Sequence, residues 1–202
     1  MPSHIEPEVV LYDLACTKNV CFSPTVWRIL PAIQHVPTNT YMMDSTPIAY
    51  FLESTYPDPP VPLTSELGRE IESKARAVVG MAFRTSVMPR EMDILSPRAQ
   101  EYFRRTREAA LGHRLEDLLD ADGEKEEQAW VASGDSMRAV GELMLTHGPF
   151  VLGSRPSYTD FFIAGSLQAA KMVHEDVFRR ITKYPGYAEV YEACLPYMEK
   201  KG

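Results

Sequence analysis

Residues 21–28 of the chain read CFSPTVWR and follow residues 9–14, VVLYDL, a run rich in β-branched and aromatic residues. Such a run predicts a strand, and serine followed by proline predicts the start of a helix. We expect Ser23 to be the N-cap and Pro24 the first helical residue, where a missing N–H costs nothing. A hydroxyl at a helix start that follows a strand and a loop is a place where an anion can be held.

The composition of the 202 residues is that of an ordinary globular protein, with 45% hydrophobic and 24% charged residues. A net charge of -7 with scattered Lys and Arg argues against a nucleic-acid-binding protein. No apolar run reaches the roughly 18 residues that span a bilayer, and the acidic N-terminus lacks the regions of a signal peptide. We therefore expect a cytoplasmic protein with no membrane and no nucleic-acid partner.

The cysteines and histidines indicate no metal site. Cys16, Cys21 and Cys194 are odd in number and lack the two-residue spacing of a zinc site or redox pair, so we expect reduced thiols. Cys21 precedes the predicted helix start by two residues, and it is either a thiolate favoured by the helix or a buried loop cysteine. The five histidines show no ligand spacing.

The pattern changes along the chain and predicts two domains. Residues 1–56 form an α/β part, with two extended runs around the turn at residues 36–39 and a helix that starts after Asp44. Residues 57–64 are proline-rich and form the linker. Residues 65–202 form an all-α part, in which apolar residues recur at helical spacing.

Six helices are expected in this second part. The expected ranges are 65–92, 97–122, 126–146, 158–174, 175–182 and 187–199. Ser157 and Asp160 have the spacing of a capping box at the start of the fourth of these helices. The methionine-rich stretch from Met81 to Met92 is either core or part of an apolar pocket.

Five segments together resemble the glutathione transferases, most closely their serine-type fungal and etherase-related group. The segments are SPTVWR at residues 23–28, LPAI at 30–33, MDS at 43–45, the proline-rich linker and GSRPSYTDF at 153–161. Their order covers nearly the whole chain, although each motif alone is weak.

The resemblance implies a thioredoxin-like N-terminal domain that binds glutathione and an all-helical C-terminal domain that supplies the electrophile pocket. Ser23 matches the hydroxyl that hydrogen-bonds the glutathione sulfur. Leu30 and Pro31 match the residue whose backbone pairs with the cysteinyl part and the cis-proline after it. Asp44 and Ser45 match the pair that binds the γ-glutamyl end, with Asp in place of the usual Glu or Gln. The resemblance also implies a homodimer.

These residue types suit the chemistry on physical grounds. A free thiol titrates near ~8.5, so only a few per cent is the nucleophilic thiolate at neutral pH. A helix N-terminus and a hydroxyl donor both favour the anion, and Ser23 can provide both. The alternative is that Ser23 only caps its helix, and that Asp44 and Ser45 only begin theirs.

The chain departs from the family between Arg28 and Leu30, which only Ile29 separates. The family has an edge strand and a second helix in this place, and a parallel crossover needs a dozen or more residues. The N-terminal domain is therefore shortened, either in a true short variant whose strand after Pro31 runs antiparallel to the first, or because residues are missing here.

The sequence leads to three functional hypotheses. The first is a glutathione transferase that activates the thiol for attack on an apolar electrophile, as in fungal secondary metabolism. The second is an isomerase, dehydratase or ether-cleaving enzyme that recycles glutathione. The third is a non-catalytic binding module that kept the fold and lost the site, which the shortened N-terminal domain favours.

Overall fold

The computed structural model describes residues 8–12, 32–63, 65–119 and 122–198. The chain divides into two units, Met1–Leu63 and Thr64–Gly202. The first contains a small sheet and one helix, and the second is helical in its described part. The predicted order, an α/β half followed by an all-α half, is confirmed.

The sheet of the first unit contains three antiparallel strands within the described residues. They are β1 (Val9–Tyr12), β2 (Ala32–His35) and β3 (Thr40–Met43), in the order β1-β2-β3. Val9 lies opposite His35 in the first pair, and Ala32 lies opposite Met43 in the second. The predicted turn at residues 36–39 is confirmed, and so is the antiparallel direction of the strand that follows Pro31.

Helix α1 (Ser45–Thr55) follows β3 directly and packs on the sheet through its buried residue Ile48. His35, at the end of β2, is buried and has partners for both ring nitrogens. Nδ1 lies 2.6 Å from the Thr38 hydroxyl and Nε2 lies 3.1 Å from the Tyr56 hydroxyl. Because Tyr56 is the C-cap of α1, this histidine ties the hairpin to the end of the helix.

The connection between β1 and β2 comprises residues 13–31. The alternative that residues are missing between Arg28 and Leu30 falls on residues outside the described part of the chain and stays a prediction. No strand parallel to β1 occurs among the described residues, in agreement with the short connection. Ser23, Leu30 and Pro31 lie in residues 13–31, outside the described part of the chain.

The helical unit contains six α-helices in its described residues. They are α2 (Glu66–Ala82), α3 (Pro97–Leu111), α4 (Glu124–Met144), α5 (Tyr158–Val173), α6 (Glu175–Ile181) and α7 (Tyr187–Met198). The bounds of α4 to α7 lie within two residues of the predicted ones. None of the helices in the described ranges has the length and apolar character that a membrane crossing requires.

The helix predicted for residues 65–92 changes geometry twice. The α-helix ends at Ala82, a π-helical turn covers Phe83–Val87, and a 3-10 segment covers Met88–Ile94. Pro89 is the reason, because proline has no N–H to donate and its ring clashes with the carbonyl four residues earlier. The sequence prediction of one long helix was wrong because it gave this proline no weight.

The helix predicted for residues 97–122 is also shorter than expected. It ends at Leu111, because Gly112 adopts a left-handed conformation with φ 75° and donates its N–H to the carbonyl of Glu108. Glycine accepts this conformation without the cost of a Cβ and is a common helix stop. A separate 3-10 turn then covers Leu115–Leu118.

Helix α5 contributes buried side chains to the core of the helical unit along its whole length, and its first turn contains a buried carboxylate. Asp160 is fully buried, and its carboxylate accepts three hydrogen bonds. The Val151 N–H donates at 2.8 Å, and the N–H and hydroxyl of Ser157 donate at 2.7 Å and 2.6 Å. The predicted capping box is confirmed, and the bond from Val151 also fixes the loop before the helix.

Helix α4 and the turn before α7 are in backbone contact. A Cβ built on Gly141 would lie 1.8 Å from the carbonyl oxygen of Pro185, and Gly186 has φ 85°. Only a glycine at position 141 allows this approach, and Tyr187, which follows the turn, is buried beside it.

We expect Asp160→Asn to lower the free energy of unfolding by about 1–3 kcal/mol, because the amide cannot accept all three bonds and leaves a buried donor unsatisfied. Urea unfolding measures this loss. The exposed Asp135→Asn on α4 serves as the control and should change stability by less than about 0.5 kcal/mol. Equal urea concentrations at the unfolding midpoints of the two variants would contradict the role given to Asp160.

Gly141→Ala should destabilise the protein by about 1–3 kcal/mol or more, since the new methyl group overlaps the Pro185 carbonyl. Gly134→Ala lies on the same helix and has only one neighbour, the Tyr184 hydroxyl at 3.4 Å. Helix propensity should make this control neutral or stabilising by up to about 1 kcal/mol. Thermal unfolding of both variants provides the comparison, and a Gly141→Ala protein as stable as the control would disprove the close contact.

Candidate functional site

Two of the five sequence-predicted site residues lie in the described part of the first unit. Asp44 is the N-cap of α1, and its carboxylate accepts a hydrogen bond of 3.3 Å from the Thr46 N–H. Ser45 is the first residue of the helix, and both side chains are exposed. The structure therefore brings a carboxylate and a hydroxyl together at the positive end of a helix.

The backbone of Asp44 has an unusual conformation, with φ 75° and ψ 134°. A residue other than glycine at positive φ is uncommon and costs on the order of 1–3 kcal/mol. Such strain persists where the surrounding structure imposes it, and it is frequent at ligand sites. Here β3 ends at Met43 and α1 begins at Ser45, so Asp44 alone must make the turn between them.

This end of α1 suits a ligand that has the two charges of an amino acid. The Asp44 carboxylate can pair with an ammonium group, and the Ser45 hydroxyl and helix N-terminus can receive a carboxylate. Pro47, the third helical residue, has no N–H to donate, so donors at this end come from the first two residues of the helix.

The helical unit contains a cavity of about 290 Å³ between α2 and α5. One wall is a stripe on α2, continued by Phe83 after its end; the stripe consists of Ala75, Arg76, Val79 and Gly80. These positions recur at steps of three and four residues, which places them on one face of a helix. The sequence analysis singled out none of these four residues.

The facing wall is a matching stripe on α5. It consists of Phe162, Ile163, Ser166 and Leu167, and Tyr187 also lines the cavity. Apart from Arg76, Ser166 and Tyr187, the side chains that line the space are apolar. Burial raises the pKa of Tyr187, so its hydroxyl stays neutral at physiological pH.

Two small residues leave room for the cavity. A Cβ built on Gly80 has no neighbour within 4 Å, so it would lie in open space. The Ser166 hydroxyl donates to the Phe162 carbonyl of its own helix at 2.9 Å and therefore leaves the space unfilled. The helices are close at their N-terminal ends, where a Cβ on Gly68 would lie 2.6 Å from the Thr159 hydroxyl oxygen.

Arg76 is the charged residue of the cavity and is exposed. Its guanidinium carbon lies 4.3 Å from the centre of the Phe162 ring. A guanidinium stacked on an aromatic face keeps its N–H donors at its edges for hydrogen bonds. Stacking thus holds the charge at the border of an apolar space.

The methionine-rich stretch makes only a small contribution to this cavity. Of residues 81–92, Phe83 lines it among the described side chains, and Met81 is exposed. The sequence left open whether this stretch is core or part of an apolar pocket, and of its residues Phe83 lies in the pocket. The stripes at 75–80 and 162–167 could have been noticed as helical faces that carry small residues, but the sequence does not show that they face each other.

Other candidate groups in the described residues are unsuited to catalysis. Burial, with a smaller effect of Asp160, raises the pKa of the Cys194 thiol to about 12, so it remains protonated. Trp130 is buried as expected and donates to the Ser86 hydroxyl at 3.0 Å. Within the ranges that the structure describes, no three His, Cys, Asp or Glu side chains lie together as metal ligands do.

Comparisons with known proteins agree with this architecture. Residues 69–191 match the family model described as "Glutathione S-transferase, C-terminal domain". The chain is 29% identical over 193 residues to the glutathione S-transferase-like protein ustS of Aspergillus flavus, and the match covers 86% of this chain and 68% of that protein.

Two solved structures share the fold. A glutathione S-transferase of Ceriporiopsis subvermispora, crystallised in complex with glutathione, is 27% identical with a TM-score of 0.72, over 85% of this chain and 72% of that one. The glutathione transferase GSTFuA3 from Phanerochaete chrysosporium is 28% identical with a TM-score of 0.68, over 86% and 71% of the two chains.

The matched family model spans more than half of the sequence, from α2 into α7. The chain therefore belongs to the glutathione S-transferase family.

Proposed function

We propose that the protein is a glutathione-dependent transferase that activates the glutathione thiol for attack on an apolar electrophile. The observation that carries this proposal is the apolar cavity between α2 and α5, within a segment that matches the family's C-terminal domain. The similar Ceriporiopsis subvermispora protein was crystallised with glutathione, which supports the same ligand here.

The proposal assigns a task to each part of the chain. Residues 1–56 bind glutathione, residues 57–64 form the linker, and residues 65–202 bind the electrophile. The division of the chain into the units Met1–Leu63 and Thr64–Gly202 supports this arrangement. The proposal further includes a homodimer in the cytoplasm and a place in fungal secondary metabolism, as the family resemblance implies.

The described residues fit one end of glutathione. Asp44 would pair with the ammonium group of the γ-glutamyl residue, and Ser45 with its carboxylate, since both side chains are exposed at the start of α1. Leu30 would pair with the cysteinyl part through its backbone, with Pro31 as the cis-proline after it. These two assignments rest on the motif match alone.

Bound glutathione would supply a sulfur nucleophile, and Ser23 would keep that sulfur anionic. Its hydroxyl donates a hydrogen bond to the sulfur, and as N-cap it also places the sulfur at the positive end of a helix. A hydrogen bond to a charged group contributes about 1.5–3 kcal/mol. At ~1.36 kcal/mol per pKa unit, this would lower the thiol pKa by about one to two units from ~8.5.

Ser23→Ala should reduce turnover of glutathione with 1-chloro-2,4-dinitrobenzene by about 10–100-fold, since ~1.4 kcal/mol corresponds to a factor of ten. Glutathione affinity should change little, because the sulfur is one contact of several. Steady-state kinetics and calorimetry measure the two quantities. Ser136→Ala, an exposed serine on α4, is the control. Unchanged turnover in Ser23→Ala would remove Ser23 from the mechanism.

Asp44→Asn should weaken glutathione binding by about 10–100-fold, because the ammonium group loses a charged partner. Asparagine caps helices as well as aspartate and accepts positive φ, so the thermal midpoint should not change. The ligand control is an analogue that lacks the amino group, which should bind both proteins equally in calorimetry. Equal loss for both ligands would show that Asp44 supports the fold rather than the ammonium group.

Two measurements separate the alternative hypotheses. Mass balance of glutathione distinguishes a transferase, which consumes it, from an isomerase, dehydratase or ether-cleaving enzyme, which returns it. Absence of glutathione binding to the full chain in calorimetry would instead favour a non-catalytic module. The short connection at residues 13–31 is the observation that favours the non-catalytic module.

A further inference from the structure

The charge of the cavity between α2 and α5 is unusual for a site that receives only neutral apolar molecules. Arg76 lines this space and belongs to no ion pair with a carboxylate among the described residues. The acidic residue one turn earlier on α2 is Glu72, and its carboxylate accepts a hydrogen bond of 2.8 Å from the Thr159 hydroxyl. Because Arg76 is also exposed, its guanidinium is available to a ligand.

The geometry of Arg76 favours a planar anion. Its guanidinium carbon lies 4.3 Å from the centre of the Phe162 ring, and a guanidinium held over an aromatic face keeps its N–H donors free at its edge. Two parallel N–H donors match the two oxygens of a carboxylate. An apolar wall on the other side then favours a ligand with a flat hydrocarbon part attached to that carboxylate.

The size of the cavity limits the ligand. Its volume of about 290 Å³ is just below the roughly 300–1,000 Å³ that small-molecule sites occupy. This space fits one or two aromatic rings. Gly80 and Ser166 are the small residues that provide the room, so a larger side chain at position 80 should close it.

We propose that this cavity binds an aromatic or similarly flat apolar carboxylate, with Arg76 as the residue that selects the acidic group. Binding of such an acid in the cavity is independent of the proposed function. Its role as the electrophilic substrate rests on the proposed function. Arg76 is then a specificity-determining residue, and the substrates are carboxylic acids with a flat apolar part.

The first experiment is calorimetry of the full chain without glutathione, with 2-naphthoate and the neutral 2-naphthalenemethanol as matched probes. Arg76→Gln should weaken naphthoate at least about tenfold and change the alcohol less than about twofold, because only the acid uses the charge. Arg69→Gln, an exposed arginine of α2 outside the cavity, should affect neither probe.

A second pair of variants tests the location without removing a charge. Gly80→Leu should weaken both probes at least about tenfold by filling the cavity, whereas Gly165→Leu should weaken neither. Gly165 also has no neighbour within 4 Å of an added Cβ, but it does not line the cavity. Both changes replace a helical glycine by a better helix former, so neither is expected to unfold the protein.

The third experiment addresses the substrate class, with 4-chloro-3-nitrobenzoate and its methyl ester as electrophiles. In both, the glutathione thiol loses its proton to solvent, the thiolate forms a carbon–sulfur bond, the carbon–chlorine bond breaks, and chloride leaves with the bonding electrons. Arg76→Gln should lower kcat/KM at least about tenfold for the acid and leave the ester unchanged.

Three results would overturn the inference: neither naphthyl probe binds the wild-type chain, Arg76→Gln weakens both probes equally, or Gly80→Leu weakens neither. Binding of naphthoate in the expected pattern supports it even if no glutathione is bound. In that case the proposed function fails and the carboxylate site remains, so the two failures are distinguishable.

Discussion

The buried carboxylate of Asp160 is the constraint on which the helical unit depends. Three donors from two segments converge on it, and each would be an unsatisfied buried group without it. The carboxylate therefore fixes both the start of α5 and the loop that precedes it. The preceding residue, Thr159, donates a hydrogen bond to Glu72 and faces Gly68, so the same end of α5 is held against α2.

The cavity is a consequence of this arrangement. The two helices are in close contact where Gly68 meets Thr159, and the interface further along contains the small residues Gly80 and Ser166. A space remains there because the fixed ends prevent the helices from closing over it. The pair Arg76 and Phe162 borders that space. The packing of α5 against α2 therefore also positions a positive charge beside an apolar surface.

The sequence predicted the elements better than the site. Periodicity and capping signals located α4 to α7 and the hairpin, because these depend on local patterns. The changes at Phe83 and Leu111 were missed although Pro89 and Gly112 are local signals that explain them. The positive φ of Asp44 and the facing of residues 75–80 and 162–167 depend on tertiary structure, which no local pattern encodes. The motif match supplied Ser23, Leu30 and Pro31, and their assignment remains a prediction.

We propose that this chain, with its short connection between β1 and β2, activates the thiol of glutathione. A pH titration of glutathione bound to the full chain, followed by the ultraviolet absorbance of the thiolate, tests it most directly. We expect the pKa of the bound thiol to lie about one to two units below the free value of ~8.5. Binding with the pKa of free glutathione, or no binding, would contradict it.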